Sequence, residues 1–223
     1  FRSPDGGHIA FIRWQNEDDS NANIYTITAD GSFLKKVTSA NDSVAQGRID
    51  WSPDGKWIGF YAKNKTIKII PSGGGNSKVV AKNVGIDYHN GLSYSPEGDQ
   101  ITYSNEGKLY VVDLNSGKST KVRTGLDALS SMPDWSPNGK KIAFCGYHRE
   151  KTDLWLMEDF LPLEKLAQKK KKEKENFVIR KVIDGKDAEF EGGNPSPDGK
   201  YFIFTDWDTG NLALYENTTG KKR

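Results

Sequence analysis

Large apolar side chains recur two residues apart in five places along the chain: Ile9 and Phe11, Ile58 and Phe60, Ile101 and Tyr103, Ile142 and Phe144, and Phe202 and Phe204. A period of two sets both members of a pair on one face of an extended strand. Each pair follows the same polar turn, Ser3-Pro-Asp-Gly6, Ser52-Pro-Asp-Gly55, Ser95-Pro-Glu-Gly98, Ser136-Pro-Asn-Gly139 or Ser196-Pro-Asp-Gly199. Proline presets φ at the first central position of a turn, and glycine takes the left-handed conformation that folds the chain back. A second apolar strand is predicted after each pair: Ile24 to Ile27, Ile67 to Ile70, Leu109 to Val112, Leu154 to Met157 and Leu212 to Tyr215. Turns such as Ala29-Asp-Gly31, Ser72-Gly-Gly-Gly75 and Asn115-Ser-Gly117 then lead to outer strands at Lys35 to Thr38, Lys78 to Val80, Thr120 to Arg123 and Phe177 to Val182.

The anchoring prolines Pro4, Pro53, Pro96, Pro137 and Pro197 lie 49, 43, 41 and 60 residues apart. Repeats of about 40–50 residues, each yielding four strands, are the signature of a β-propeller. The expected fold is therefore all-β: four-stranded antiparallel blades, with five repeats visible in one domain spanning 1–223. The units run over about 1–47, 48–90, 91–131, 132–191 and 192–223. A closed five-bladed ring and an incomplete six- to eight-bladed ring both accommodate them.

The pattern of Ser-Pro-Asp-Gly-Lys, an Ile-Ala-Phe strand, an Ile-Tyr strand, an Asp-Gly turn and a Lys-Lys-Val-Thr edge resembles the TolB-like, WD40-like propeller repeat. This resemblance covers essentially the whole chain. It implies a periplasmic or secreted protein. It also brings in the gating propellers of prolyl-oligopeptidase-like peptidases as relatives by architecture.

Composition agrees with many strands and tight turns. The chain has 23 glycines, 35% hydrophobic and 11% aromatic residues, and a mean hydropathy of −0.71. Lys and Arg total 32 against 30 Asp and Glu. That near-balance gives no concentrated basic character, so a nucleic-acid partner is not expected. No apolar run reaches the roughly 18 residues of a membrane span. Cys145 is the sole cysteine, which excludes an internal disulfide and a multi-cysteine zinc site. Beside the core position Phe144, it reads as a buried structural thiol.

The long spacing between Pro137 and Pro197 marks an insertion at 158–176, between the third and fourth strands of its blade. Lys169 to Lys172 within it are partly offset by Glu173 and Glu175, which suits a solvated helix or hairpin.

In a propeller, the loops from one blade to the next and those between second and third strands line one channel mouth. Ligands favour such convergent loops on a rigid ring. The mouth-side candidates for binding are Trp14, Asp50, Asp87, Tyr88, His89, Asp134, Tyr147, His148, Arg149 and Trp207. Asp50 and Asp134 occupy equivalent places, immediately before Trp51 and Trp135. They suit either a cation or basic peptide groups, or the capping of backbone N–H groups. His89 and His148 could serve a metal-assisted reaction on an acidic sugar, or simply be polar loop residues. His8 lies on the opposite rim. Asp206-Trp-Asp-Thr-Gly210 has the oxygens of a faint calcium loop but reads as a hairpin turn.

The chain holds no Gly-x-Ser-x-Gly elbow and no phosphate loop. No catalytic residue, metal or cofactor is assigned from the sequence. The expectation is a monomeric, non-catalytic scaffold that binds a protein, peptide or glycan at its mouth. The alternative is a propeller lyase, or the gating domain of a peptidase whose catalytic part lies elsewhere.

Overall fold

The computed structural model describes residues 1–14, 22–86, 90–124, 129–148, 151–158, 178–183, 194–195, 201–206, 211–216 and 221–222. Its strands form five sheets, each an antiparallel meander. The first holds β1 (His8–Trp14), β2 (Ala22–Thr28) and β3 (Leu34–Lys36). The second holds β4 (Asp50–Trp51), β5 (Trp57–Ala62), β6 (Thr66–Pro71) and β7 (Lys78–Lys82). The third holds β8 (Leu92–Tyr94), β9 (Gln100–Asn105), β10 (Lys108–Asp113) and β11 (Ser119–Lys121). The fourth holds β12 (Leu129–Trp135), β13 (Lys141–His148), β14 (Lys151–Glu158) and β15 (Val178–Ile183). The fifth holds β16 (Asn194–Pro195), β17 (Tyr201–Asp206), β18 (Asn211–Glu216) and β19 (Lys221–Lys222). A short 3-10 turn at Ala40–Asp42 is the only helical segment among the described residues. In the first sheet, Phe1 to Ser3 fill the innermost place through a bridge from Arg2 to Ile9 and an Ala10 N–H bond to Phe1 O at 2.7 Å. The expected insertion is flanked by β14 and β15, and residues 159–177 lie outside the described residues.

The alternation read from the sequence builds the layers between sheets. Ile58 and Phe60 of β5 are fully buried against Ala10, Ala22 and Ile24 of the preceding sheet. On the opposite face of β5, Tyr61 packs with Leu92, Tyr94 and Ile101 of the following one. Ile142 and Phe144 repeat the arrangement against Leu109 and Val111. Burying each such side chain contributes about 1.5–3 kcal/mol, so one strand serves two interfaces. β2 and β6 are buried on both faces along most of their length, and even Lys68 of β6 is only 6% exposed. Its ammonium donates to Asn41 O at 3.2 Å and Asp42 O at 3.1 Å, which satisfies the charge inside the layer.

The Ser-Pro-Asp-Gly hairpins join first and second strands, and their serine is the anchor. The Ser52 hydroxyl donates to Asp54 Oδ1 at 2.6 Å and accepts the Trp57 N–H at 2.9 Å. The Gly55 N–H closes the turn on Ser52 O at 2.8 Å, with φ at +70°. Ser136 and Asn138 repeat the device. Where Glu97 replaces aspartate, Ser95 donates to Asp99 Oδ1 instead, at 3.0 Å. Successive turns also stack. A Cβ added to Gly98 would lie 3.3 Å from Pro53 Cδ, and one added to Gly139 or Gly55 would meet Pro96 or Pro4 at 3.8 and 3.9 Å.

Candidate functional site: the axial carboxylates and the mouth

β4, β8 and β12 lie side by side as the innermost strands, each with one residue just before its aromatic. These are Asp50 before Trp51, Ser93 before Tyr94 and Asp134 before Trp135. The Asp50 carboxylate accepts the Trp51 N–H at 2.9 Å through Oδ1 and the Tyr94 N–H of the next sheet at 2.9 Å through Oδ2. Ser93 does the same one sheet further on: its Oγ accepts the Trp135 N–H at 3.3 Å and donates to Asp134 Oδ1 at 3.2 Å. The rule is that this position accepts the aromatic residue's backbone N–H from the following blade. For Asp134 the corresponding next residue is Pro195, paired with Phe202 as Trp51 is with Ile58, and proline has no N–H to give. The bond that Asp50 and Ser93 make to the next blade is therefore not repeated between Asp134 and Pro195.

Both carboxylates are largely enclosed by protein yet keep some accessible surface. Burial pushes the Asp50 carboxyl up to about 6; the nearby Asp134 charge adds to this, and the Tyr94 and Trp51 N–H groups and Arg48 oppose it. Burial also raises Asp134, against the field of Arg48 and the Ser93 hydrogen bond. Arg48 thus supplies the axial positive charge; its guanidinium carbon lies 5.3 Å from the centre of the Phe1 ring. Cys145 sits within the same field, and burial pushes its thiol up to about 11, a structural rather than a nucleophilic thiol.

The surrounding mouth is fixed by close backbone approaches. The Arg48 N–H donates to Asn90 O at 3.2 Å, and the buried Asn90 amide donates to Gly85 O at 2.8 Å. The Tyr61 hydroxyl lies 2.8 Å from Gly91 O and 2.9 Å from Ser104 O. A bulge in β12 between Ser131 and Asp134 holds Met132 at φ +48°, close against Gly91. This bulge sets the position from which Asp134 faces the axis.

Of the candidates read from the sequence, the structure brings Asp50 and Asp134 together across Ser93. Trp14 ends β1 on the mouth side, 36% exposed. Tyr147 and His148 are the last residues of β13. Asp87, Tyr88, His89, Arg149 and Trp207 lie outside the described residues. His8 is exposed at the start of β1, on the opposite rim. Asp206 pairs with Asn211 at the base of a hairpin whose residues 207–210 lie outside the described residues. Among the described residues, no three His, Cys, Asp or Glu side chains are grouped to hold a metal ion. Ser93 and Arg48 were missed by the sequence reading. Ser93 could have been found, because it shares the register of Asp50 and Asp134; Arg48 lies in a loop outside the repeat.

No family model matches the chain. It is 25% identical over 162 residues to the Agrobacterium fabrum protein Atu1656, a match covering 69% of this chain and 52% of that protein. Dipeptidyl-peptidase 5 of Porphyromonas gingivalis is 28% identical over 127 residues, covering 48% of this chain and 18% of the peptidase. The chain thus spans about half or less of the length of these curated relatives. The structure of a protein assigned as TolB from Agrobacterium tumefaciens superposes on the whole chain with a TM-score of 0.74 at 20% identity, covering 77% of that chain. Sheet order, repeat and superposition together define the fold as a TolB-like β-propeller. No described helix is long and apolar enough to cross a membrane.

Proposed function

We propose that the chain is a non-catalytic TolB-like propeller that binds a protein, peptide or glycan segment across its channel mouth. Asp134 carries this reading. Its carboxylate stands on the axis, held by Ser93 and paired with the field of Arg48, with Pro195 offering no onward N–H. It can therefore accept an N–H, hydroxyl or ammonium of a ligand entering the channel. Trp14 adds an exposed aromatic of the kind that dominates binding interfaces. Tyr147, His148, Arg149, Asp87, Tyr88, His89 and Trp207 complete the proposed rim. The likeness to TolB supports a monomer acting in the periplasm or outside the cell.

The test is a screen of arrayed peptides and glycans against the purified chain, followed by titration of each hit. Asp134→Asn and Trp14→Ala should each weaken a hit by about tenfold or more with the unfolding midpoint preserved. Hits that keep their affinity in both variants would sink the proposal.

A second reading draws on the partial likeness to the much longer dipeptidyl-peptidase. Here the ring would act as the gating propeller of a larger peptidase, with the nucleophile on another part of the polypeptide. Peptidase activity that survives in the isolated chain would exclude this version, because no nucleophile elbow is present in it.

A further inference from the structure

The outer strands of the sheets carry one sign of charge. β3, β7, β11, β15 and β19 together hold nineteen residues, of which nine are Lys or Arg and none is Asp or Glu. The whole chain is nearly balanced, with 32 basic against 30 acidic residues, so the fold separates charges that the composition averages away. The cations are also level from blade to blade. Ile27, Ile70, Val112 and Met157 each pair with the isoleucine of their second strand, which fixes the equivalence of the third strands. One residue earlier, Thr26, Ile69, Val111 and Leu156 pair with Lys35, Lys78, Thr120 and Arg180. One earlier still, Tyr25, Lys68, Tyr110 and Trp155 pair with Lys36, Val79, Lys121 and Lys181. Six of these eight outer positions are basic. Lys35, Lys36, Lys78, Lys82 and Lys121 are exposed, and none of them meets a carboxylate among the described residues. The acids in the turns that lead to β3 and β11 are committed to those turns. Asp30 accepts the Thr28 hydroxyl at 2.6 Å and the Ser32 N–H at 3.0 Å, and Asp113 accepts the Ser116 N–H at 2.7 Å. The Lys78 ammonium lies 4.8 Å from the centre of the Trp57 ring, which holds one cation of the row in place. Lysine on an edge strand discourages strand addition, but that role sets no common register between blades.

We infer that this outer belt binds a flexible acidic polysaccharide laid along the wall of the propeller, apart from the channel mouth. The occupant follows from the form of the belt. Propeller blades are arranged radially about an axis, so the wall is convex, and a level row of cations on it suits a chain that bends with it. A flat anionic bilayer would touch one or two blades at a time. Duplex DNA is stiff, with a persistence length of about 50 nm. Single-stranded nucleic acid stacks its bases on aromatic side chains, and the outer strands contain no aromatic residue. A polymer of sugars bearing carboxylates or sulfates needs charge spaced along its path, and lysine supplies that as a compact point charge.

The experiment titrates dextran sulfate, and uncharged dextran of the same length, into the purified chain. Dextran sulfate should bind and dextran should not, with an affinity that falls about tenfold or more between about 50 and 150 mM salt as counterion release is opposed. The triple variant Lys36→Gln, Lys78→Gln and Lys121→Gln takes one cation from each of three blades. It should weaken binding by about tenfold or more and lower the salt slope by about three. The matched triple Lys56→Gln, Lys63→Gln and Lys140→Gln removes the same charge from exposed hairpin positions. It should keep the affinity within about twofold, since charges beyond a Debye length are screened. Arginine at Lys36, Lys78 and Lys121 keeps the charge and should keep the binding, which tests the belt even if the glutamine triple fails to fold. The inference is overturned if the wild type does not bind at physiological salt, if both glutamine triples weaken binding alike, or if the arginine triple loses it. Tighter binding of single-stranded DNA or of phosphatidylglycerol vesicles, lost in the belt variant, would assign the belt to those partners and overturns it as well.

Discussion

The Asp50 carboxylate accepts the backbone N–H of Tyr94 across the boundary between two sheets, at 2.9 Å. One side chain thereby ties two innermost strands that share no ladder of their own. The bond also keeps a carboxylate at the axis, where burial opposes its charge.

The first prediction follows from that opposition. The Asp50 carboxyl sits at about 6 in the folded chain against 3.8 when free. Between these values the native state holds more proton than the unfolded state, so stability falls as pH rises from about 4 to about 6 and is level above. Asp50→Asn removes this slope, on the order of 1–3 kcal/mol. Its carboxamide oxygen can still accept the Tyr94 N–H, and Asp134 loses a like-charged neighbour. Denaturant unfolding of both proteins at pH 4 to 8 checks this. A wild type that gains stability over Asp50→Asn across that window would contradict it.

Tyr94 carries the second. Its ring is 5% exposed, and its hydroxyl meets no hydrogen-bond partner among the described residues. Leaving a buried hydroxyl unpaired costs about 1–3 kcal/mol. Tyr94→Phe should therefore raise stability by about 1 kcal/mol, or about 2–4 °C in thermal midpoint. A measured loss would show that the hydroxyl is engaged.

Removing the serine anchor should weaken each hairpin separately. Ser52→Ala and Ser136→Ala each lose an acceptor for a strand N–H and a donor to the turn carboxyl or amide. A cost of about 1 kcal/mol each is expected. The two turns are two blades apart with no shared partner among the bonds described, so the double variant should sum to within about 0.5 kcal/mol. Denaturant midpoints of the three variants decide the matter.

Two glycines should respond in opposite ways. A Cβ on Gly91 would stand 2.5 Å from Met132 Cα, a backbone atom that cannot swing aside. Gly91→Ala should cost about 2–3 kcal/mol and disturb the bulge that places Asp134. Gly73 has nothing within 4 Å, and Gly73→Ala should be neutral or stabilising by up to about 1 kcal/mol. Thermal melts of the pair provide the comparison.

The architecture was legible because one period governs it. Ile58 and Phe60 announce a strand, and their turn announces the reversal, in every unit. The equivalence of Asp50 and Asp134 was equally visible, and backbone capping was one of its two expected meanings. Ser93 escaped notice because a hydroxyl in that register does not resemble a carboxylate, although both accept the same N–H. The serine of each turn was likewise passed over, since proline and glycine already explained the reversal. Its role depends on a strand N–H five residues onward, a contact that only the folded hairpin creates. Arg48 shows the limit most clearly. The mouth loops lie outside the repeat, so no second copy of the pattern marks which of their residues turns toward the axis.

The hairpins also bear on how the chain ages. Asp5-Gly6, Asp54-Gly55 and Asn138-Gly139 are dipeptides in which a glycine nitrogen can attack the preceding side-chain carbonyl and close a cyclic imide. In the folded turns that nitrogen is committed to a serine carbonyl, at 2.8 to 2.9 Å in each case. The side-chain oxygen is held in turn by the serine hydroxyl. In these three turns the motif thus shields its own weakest covalent links, and deamidation at Asn138 should report local opening of that turn.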